Sequence, residues 1–198
     1  MNKVAPIEPQ ATENAVTRWF GPHFSSLHPM LQGLHRHGGT LRGPLQIEFG
    51  RGLGGWIGRR LARKLGIPTD LPQCGFVVDI QHEADRLIWR RQFENGSDMV
   101  SIFTPIGAWP AGYWVEATGV LQLRLTVDVV DGGWYWRPLA VRLAGMPLPM
   151  WLFPSTDAYK RAENGRYRFA VVFKLPLLGR ILSYQGLLEA DIEKSPQG

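Results

Sequence analysis

The chain holds a single cysteine, Cys74, in 198 residues. No internal disulfide can form, and metal sites built on paired thiolates are excluded. Long apolar runs are missing too: no stretch approaches the ~18 uncharged residues of a spanning helix. The start, MNKVAPIEPQATENAV, carries prolines and acids where a secretory leader needs an apolar segment. These absences predict a protein of the reducing cytoplasm. Acidic residues are absent from positions 51 to 64, which hold Arg51, Arg59, Arg60, Arg63 and Lys64. That local excess supplies much of the net charge of +5, from 22 Lys+Arg against 17 Asp+Glu, a balance too mild for a nucleic-acid-binding tail. A basic helix at 53–65 has a solvated face as its common role, and can also meet an acidic partner or the surface of an anionic membrane.

What the chain has is aromatic surface: eight Trp, nine Phe and five Tyr. Rings in that number must be packed in a core or lie along a ligand cavity. The length suits one well-buried domain and is short for two. The expected organisation is an N-terminal arm at 1–10, a single β-rich domain at 11–192 and a tail at 193–198. Short helices are expected at Thr12–Phe20, stopped by Gly21 and Pro22, and from about Ser26 to Gly38. A first strand follows in TLRGPLQIEF. Leu53, Trp56, Ile57, Leu61 and Leu65 then share one face of a helix, with the basic residues largely opposite.

After Pro72 the apolar residues recur at period two, and the breaks are hairpin turns: Ala84-Asp85, Asn95-Gly96, Asp131-Gly132-Gly133 and Asn164-Gly165. Strands are expected at about Gly75–Glu83, Arg86–Phe93, Asp98–Thr104, Tyr113–Val130, Trp134–Leu143, Tyr167–Leu175 and Arg180–Glu189, with a bulge or break at Gly119. The proline-rich AGMPLPMWLFP is expected to be a loop or an edge crossing.

FGRGLGG, residues 49–55, spells the G-x-G-x-x-G of a dinucleotide-binding turn. Such a fold needs continued alternation of strands and crossover helices, and here the alternation stops after one unit. The acid that should hold a ribose ~20 residues on is also misplaced, because Asp70 lies in a Pro-flanked loop and Asp79 inside FVVDIQ. The glycines are better explained as a tight turn and a close helix–sheet approach. A smaller possibility survives, an anion held at the helix start by Arg51, Gly52, Gly54 and Gly55. No bound cofactor is expected.

The five histidines show no metal-ligand spacing and are expected at helix ends or on the surface. No Ser sits in a nucleophile elbow, and Cys74 has no His nearby in sequence. LIWRRQF is more informative. On a strand Trp89, Arg91 and Phe93 share one face while Arg90 sits on the other, so one arginine must point inward or lie on an aromatic ring. Arg137 in WYWRPL is a parallel case. Glu116 is the natural partner of an inward guanidinium, in a pair that either fixes strand register or serves a ligand. Tyr184 is a candidate second donor, with a core or capping tyrosine as the plainer explanation.

The ordered series LHPMLQGLH, GPLQIEFGRGLGGWIGRRLARKLGIP, IWRRQF, VEATGVLQLRL, MPLPMWLFP and LPLLGRILSYQGLL resembles the bacterial family of domains of unknown function numbered 4166 (DUF4166), from about residue 18 to 190. The resemblance implies a bacterial protein whose relatives occur alone or fused to NAD(P)-dependent dehydrogenase-like domains, and it implies no activity. Its W-x-R-x-F and V-E-x-x-G patterns fall on Trp89, Arg91, Phe93 and on Val115, Glu116, Gly119, which favours Arg91 over Arg90 as the inward residue.

The expected fold is mainly β: an antiparallel meander of about eight to ten strands curled into a calycin-like barrel or half-barrel, with a helical insertion after the first strand and short N-terminal helices. The rival, a helix-grip sheet, needs a long C-terminal helix that LLEADIEKSPQG cannot supply. The leading functional expectation is non-catalytic binding of a small amphipathic or acyl-type anion by Arg91, Trp89, Phe93, Glu116, Arg137 and Tyr184. A second is an accessory domain docking on a dehydrogenase-like redox partner through Arg59, Arg60 and Arg63. A third is an isomerase or hydrolase with Glu116 or Asp79 as base.

Overall fold

The structure, a computed structural model, describes residues 13–193. The expected arm at 1–10 and nearly all of the expected tail at 193–198 lie outside these residues.

Among them, α1 (Ala15–Phe20) and α2 (Pro29–His37) precede β1 (Gly39–Phe49), and α3 (Gly52–Leu65) follows it. Then come β2 (Gln73–Glu83), β3 (Arg86–Phe93), β4 (Asp98–Ile106), β5 (Tyr113–Thr118), β6 (Leu121–Val130) and β7 (Gly133–Leu143). The chain ends with β8 (Met146–Leu148), β9 (Ser155–Glu163), β10 (Arg166–Leu175) and β11 (Gly179–Ile192). Every ladder is antiparallel. The strands follow one another in the meander order from β1 to β7, β9 pairs with β7, and β11 returns to β1. The result is a closed barrel of 10 strands with β8 outside it. Closure leaves no free edge among the barrel strands.

The alternation expected from the sequence sets the two faces. In β3 Trp89, Arg91 and Phe93 are buried while Arg90 and Gln92 are exposed. In β1 Leu41, Leu45 and Ile47 are buried while Arg42, Gln46 and Glu48 are exposed. The long segment 113–130 breaks at Gly119, whose φ of 56° makes the turn between β5 and β6. β11, at 14 residues, occupies the C-terminal stretch that a helix-grip fold would need as a helix.

Two caps close the barrel. At one end Asn14 caps α1 and forms a capping box with Thr17, while its Nδ2 donates to the carbonyls of His35 and Arg36 at 3.0 Å each. That tie locks α1 to the end of α2. The two helices drive Trp19, Phe20, Leu31 and Leu34 into the barrel. There Trp19 meets Trp114 at 5.3 Å between ring centres, and Phe20 meets Trp134 at 5.0 Å, both edge to face. At the other end α3 crosses from β1 to β2.

The packing of α3 corrects the sequence reading. The buried face is Gly54, Gly55, Gly58 and Ala62, with Gly54 and Gly58 against Ile181 of β11, whereas Leu53 and Trp56 are exposed and Ile57, Leu61 and Leu65 are half-buried. A side chain at Gly58 would collide with the Ile181 carbonyl oxygen, and one at Gly55 with the Gly50 carbonyl oxygen. The helix therefore approaches the sheet by backbone contact, which only small residues allow. The glycines of FGRGLGG serve this approach and the turn before it, as the sequence suggested.

Strand β9 was not expected. Its inward positions are Thr156, Ala158 and Lys160, and its outward ones include Asp157 and Arg161. No apolar alternation marks such a strand.

Candidate functional site

The inward residues of the strands enclose a cavity of about 100 Å³ between the two caps. Its walls combine Trp89 and Arg91 from β3, Glu116 and Thr118 from β5, Trp136 from β7, Lys160 from β9, Tyr167 from β10 and Tyr184 from β11. Leu121, Leu123 and Phe173 line it as well, and Leu65 of α3 lies over it. A space of this size suits only a small ligand, a headgroup with a chain of about two or three carbons, since it is smaller than the ~150 Å³ that accepts benzene.

Arg91 is 8% exposed. Its Nη1 donates to Ser101 Oγ at 2.8 Å, Ser101 and Thr118 hydroxyls are 2.6 Å apart, and Thr118 Oγ1 donates to Glu116 Oε1 at 3.2 Å. The expected Arg–Glu partnership is thus relayed through two hydroxyls. Among the described residues the guanidinium makes one hydrogen bond, and its face lies 5.1 Å from the Trp89 ring centre. The remaining donors of its fork are available to the oxygens of an anion.

Lys160, one of the residues that the sequence did not reveal, is 2% exposed. Its Nζ lies 2.8 Å from His35 Nε2, and 3.7, 4.3 and 5.6 Å from the ring centres of Trp134, Trp89 and Trp136. Burial, then the nearby Arg91, pushes its pKa well below the usual 10.5, while Glu116 acts in the opposite direction. The indole faces favour the cation too. His35 is fully buried rather than at a surface, and burial and then Lys160 hold its pKa well below 6.5. A neutral imidazole of this kind shares one hydrogen bond with the Lys160 amino group through Nε2. Burial pushes the Tyr184 hydroxyl up to about 12 and raises Tyr167 as well, so both are neutral donors. The Tyr167 hydroxyl and the Trp89 indole N–H are buried and have no hydrogen-bond partner among the described residues.

Of the expected site residues, Arg91, Trp89, Glu116 and Tyr184 come together at the cavity. Phe93 does not line it: it packs on Phe76, 5.2 Å between ring centres, in the adjoining core. Arg137 stands outside the barrel, paired with Asp128 at 3.0 and 3.2 Å, because Trp134 and Trp136 take the inward positions of β7. Asp79 is also outside the cavity lining and accepts from the Thr40 hydroxyl at 2.9 Å. At the start of α3, Arg51 makes no side-chain cap and Gly52 is exposed. Gly54 and Gly55 are buried, and the Gly55 N–H is spent on the Arg51 carbonyl at 3.3 Å. None of these four residues reaches the cavity. His35, Ser101, Thr118, Lys160 and Tyr167 were not anticipated.

One signal could have found Lys160. The Asn164-Gly165 turn implies a strand on both sides of it, and a strand ending at Glu163 puts Lys160 on the same face as Ala158 and Thr156.

Fold and interior together define a closed antiparallel barrel, capped at both ends, with an apolar cavity that holds an arginine, a lysine and a glutamate. A family model described as Domain of unknown function (DUF4166) matches residues 27–188, and the chain belongs to this family. No curated protein matches the sequence. No helix among the described residues is long and apolar enough to cross a membrane.

Proposed function

We propose that the barrel binds, without chemistry of its own, a small amphipathic anion of the short acyl type. The observation that carries this reading is Arg91, buried at the cavity wall with its fork committed to one hydroxyl. Arg91 reaches Glu116 only through the Ser101 and Thr118 hydroxyls, so an anion on its fork supplies the direct counter-charge that this buried cation lacks among the described residues. Trp89, Leu123 and Phe173 supply the apolar wall for its chain, and Tyr184 and Tyr167 add neutral donors.

The test is to soak the purified protein in a lipid and metabolite extract and weigh the retained species by native mass spectrometry. Wild type retains an anionic adduct that Arg91→Ala loses. Ala158→Leu, which fills the cavity and leaves every charge in place, also lowers retention. Adducts no more abundant on wild type than on Arg91→Ala would overturn the reading.

A further inference from the structure

We infer that the α3 end of the barrel docks on an anionic phospholipid surface. Large apolar side chains are exposed there on three separate segments: Leu53 and Trp56 on α3, Trp151 and Leu152 in the turn before β9, and Leu177 and Leu178 at the β10–β11 hairpin. Trp56 is 62% and Trp151 76% exposed, and Leu177 is exposed in full at a φ of 65°. A bulky residue held in the left-handed region of a hairpin tip carries strain with no packing to offset it. The segments lie at one end of the molecule. Leu178 borders Gly54 of α3, and Ser155, just after the Trp151 turn, is paired with Lys174 at the end of β10.

The same end carries Arg51, Arg59, Arg60, Arg63 and Lys64, all exposed, with no acid among residues 51–64. Apolar side chains protruding on three separate segments, two of them tryptophans and one segment the cationic helix itself, suit insertion at the headgroup boundary of an anionic bilayer. A second copy of the chain is the poorer occupant, because a two-fold contact would set these cations against their own copies. A single apolar pocket for a protein anchor is not what the three separate protrusions form. Leu65 and Phe173, in elements at this end, line the cavity, so docking faces the cavity's near end toward the bilayer.

The experiment is co-sedimentation of the full chain with vesicles of phosphatidylcholine alone and of phosphatidylcholine mixed with phosphatidylserine. Partitioning onto the mixed vesicles exceeds that onto neutral ones by about tenfold or more and falls as salt is added. Trp56→Ala with Trp151→Ala lowers it at least about tenfold, since two interfacial rings leave the bilayer. Arg60→Glu with Arg63→Glu brings binding to mixed vesicles down to the neutral level. All four positions are exposed, and the two pairs are independent, so a folding defect in one leaves the other as the test, with thermal melting as the check. Equal binding to both vesicle types overturns the inference. So does binding unchanged in either well-folded pair, or no vesicle binding while the same surface captures an acidic protein or a second copy. Ligand retention reports the cavity and not this surface, so the two proposals fail separately.

Discussion

At the scale of single residues, the interior lysine is the feature with the widest consequences. Lys160 binds fewer protons in the folded chain than in the unfolded one at any pH between its lowered folded value and the ordinary 10.5. Unfolding therefore takes up protons in that window, and stability rises with pH through it. His35 and His82, both held below 6.5 chiefly by burial, act with the same sign at lower pH, so stability falls as pH drops below about 6.5. Lys160→Met is expected to stabilise the protein at neutral pH by about 1–3 kcal/mol, because an apolar side chain there removes the cost of burying an ionisable group. Denaturant unfolding at a series of pH values checks this: the gain shrinks toward pH 10.5, and a gain that does not change with pH contradicts the assignment. Alternation showed only that one arginine of LIWRRQF faces inward or lies on a ring, and it was the family's W-x-R-x-F pattern that favoured Arg91. Lys160 was not legible, since a lysine between Tyr159 and Arg161 looks like a solvated one until the strand that carries it is recognised.

At the scale of elements, strands with apolar alternation and turns with Gly, Asn or Asp were readable almost to their ends. β3 spans Arg86–Phe93 as expected, and the break at Gly119 falls between β5 and β6. β9 was hidden because its inward side is small or polar. The burial of α3 was misassigned for a related reason: the helix uses glycine where a hydrophobic stripe was expected, so its apolar residues were left over for the surface. Gly58→Ala tests that geometry. The added methyl meets the Ile181 carbonyl, α3 must move off β11, and the cost is about 1–3 kcal/mol in thermal or denaturant unfolding. An unchanged midpoint would mean that the helix is not seated as described. Leu53→Ala, on the exposed side of the same helix, should leave the midpoint within ~0.5 kcal/mol.

At the scale of the whole molecule, closure of the barrel rests on pairings far apart in sequence, β1 with β11 and β7 with β9. The count of strands implied a barrel or half-barrel, and closure itself required β9, the strand that composition concealed. Closure also turns alternation into a lined interior, because it places side chains from β3, β5, β9 and β11 around one space. Arg91, Glu116, Lys160 and Tyr184 are separated widely along the chain and no local pattern joins them. The central claim, that this space receives an anion on Arg91, is most directly tested by calorimetric titration with a short-chain carboxylate against wild type and Arg91→Met. Loss of a charge-assisted contact worth about 2–3 kcal/mol predicts binding to wild type and a roughly 30- to 150-fold weaker constant in the variant. Equal affinities for the two proteins, or no heat of binding to wild type across carboxylates of increasing length, would contradict it.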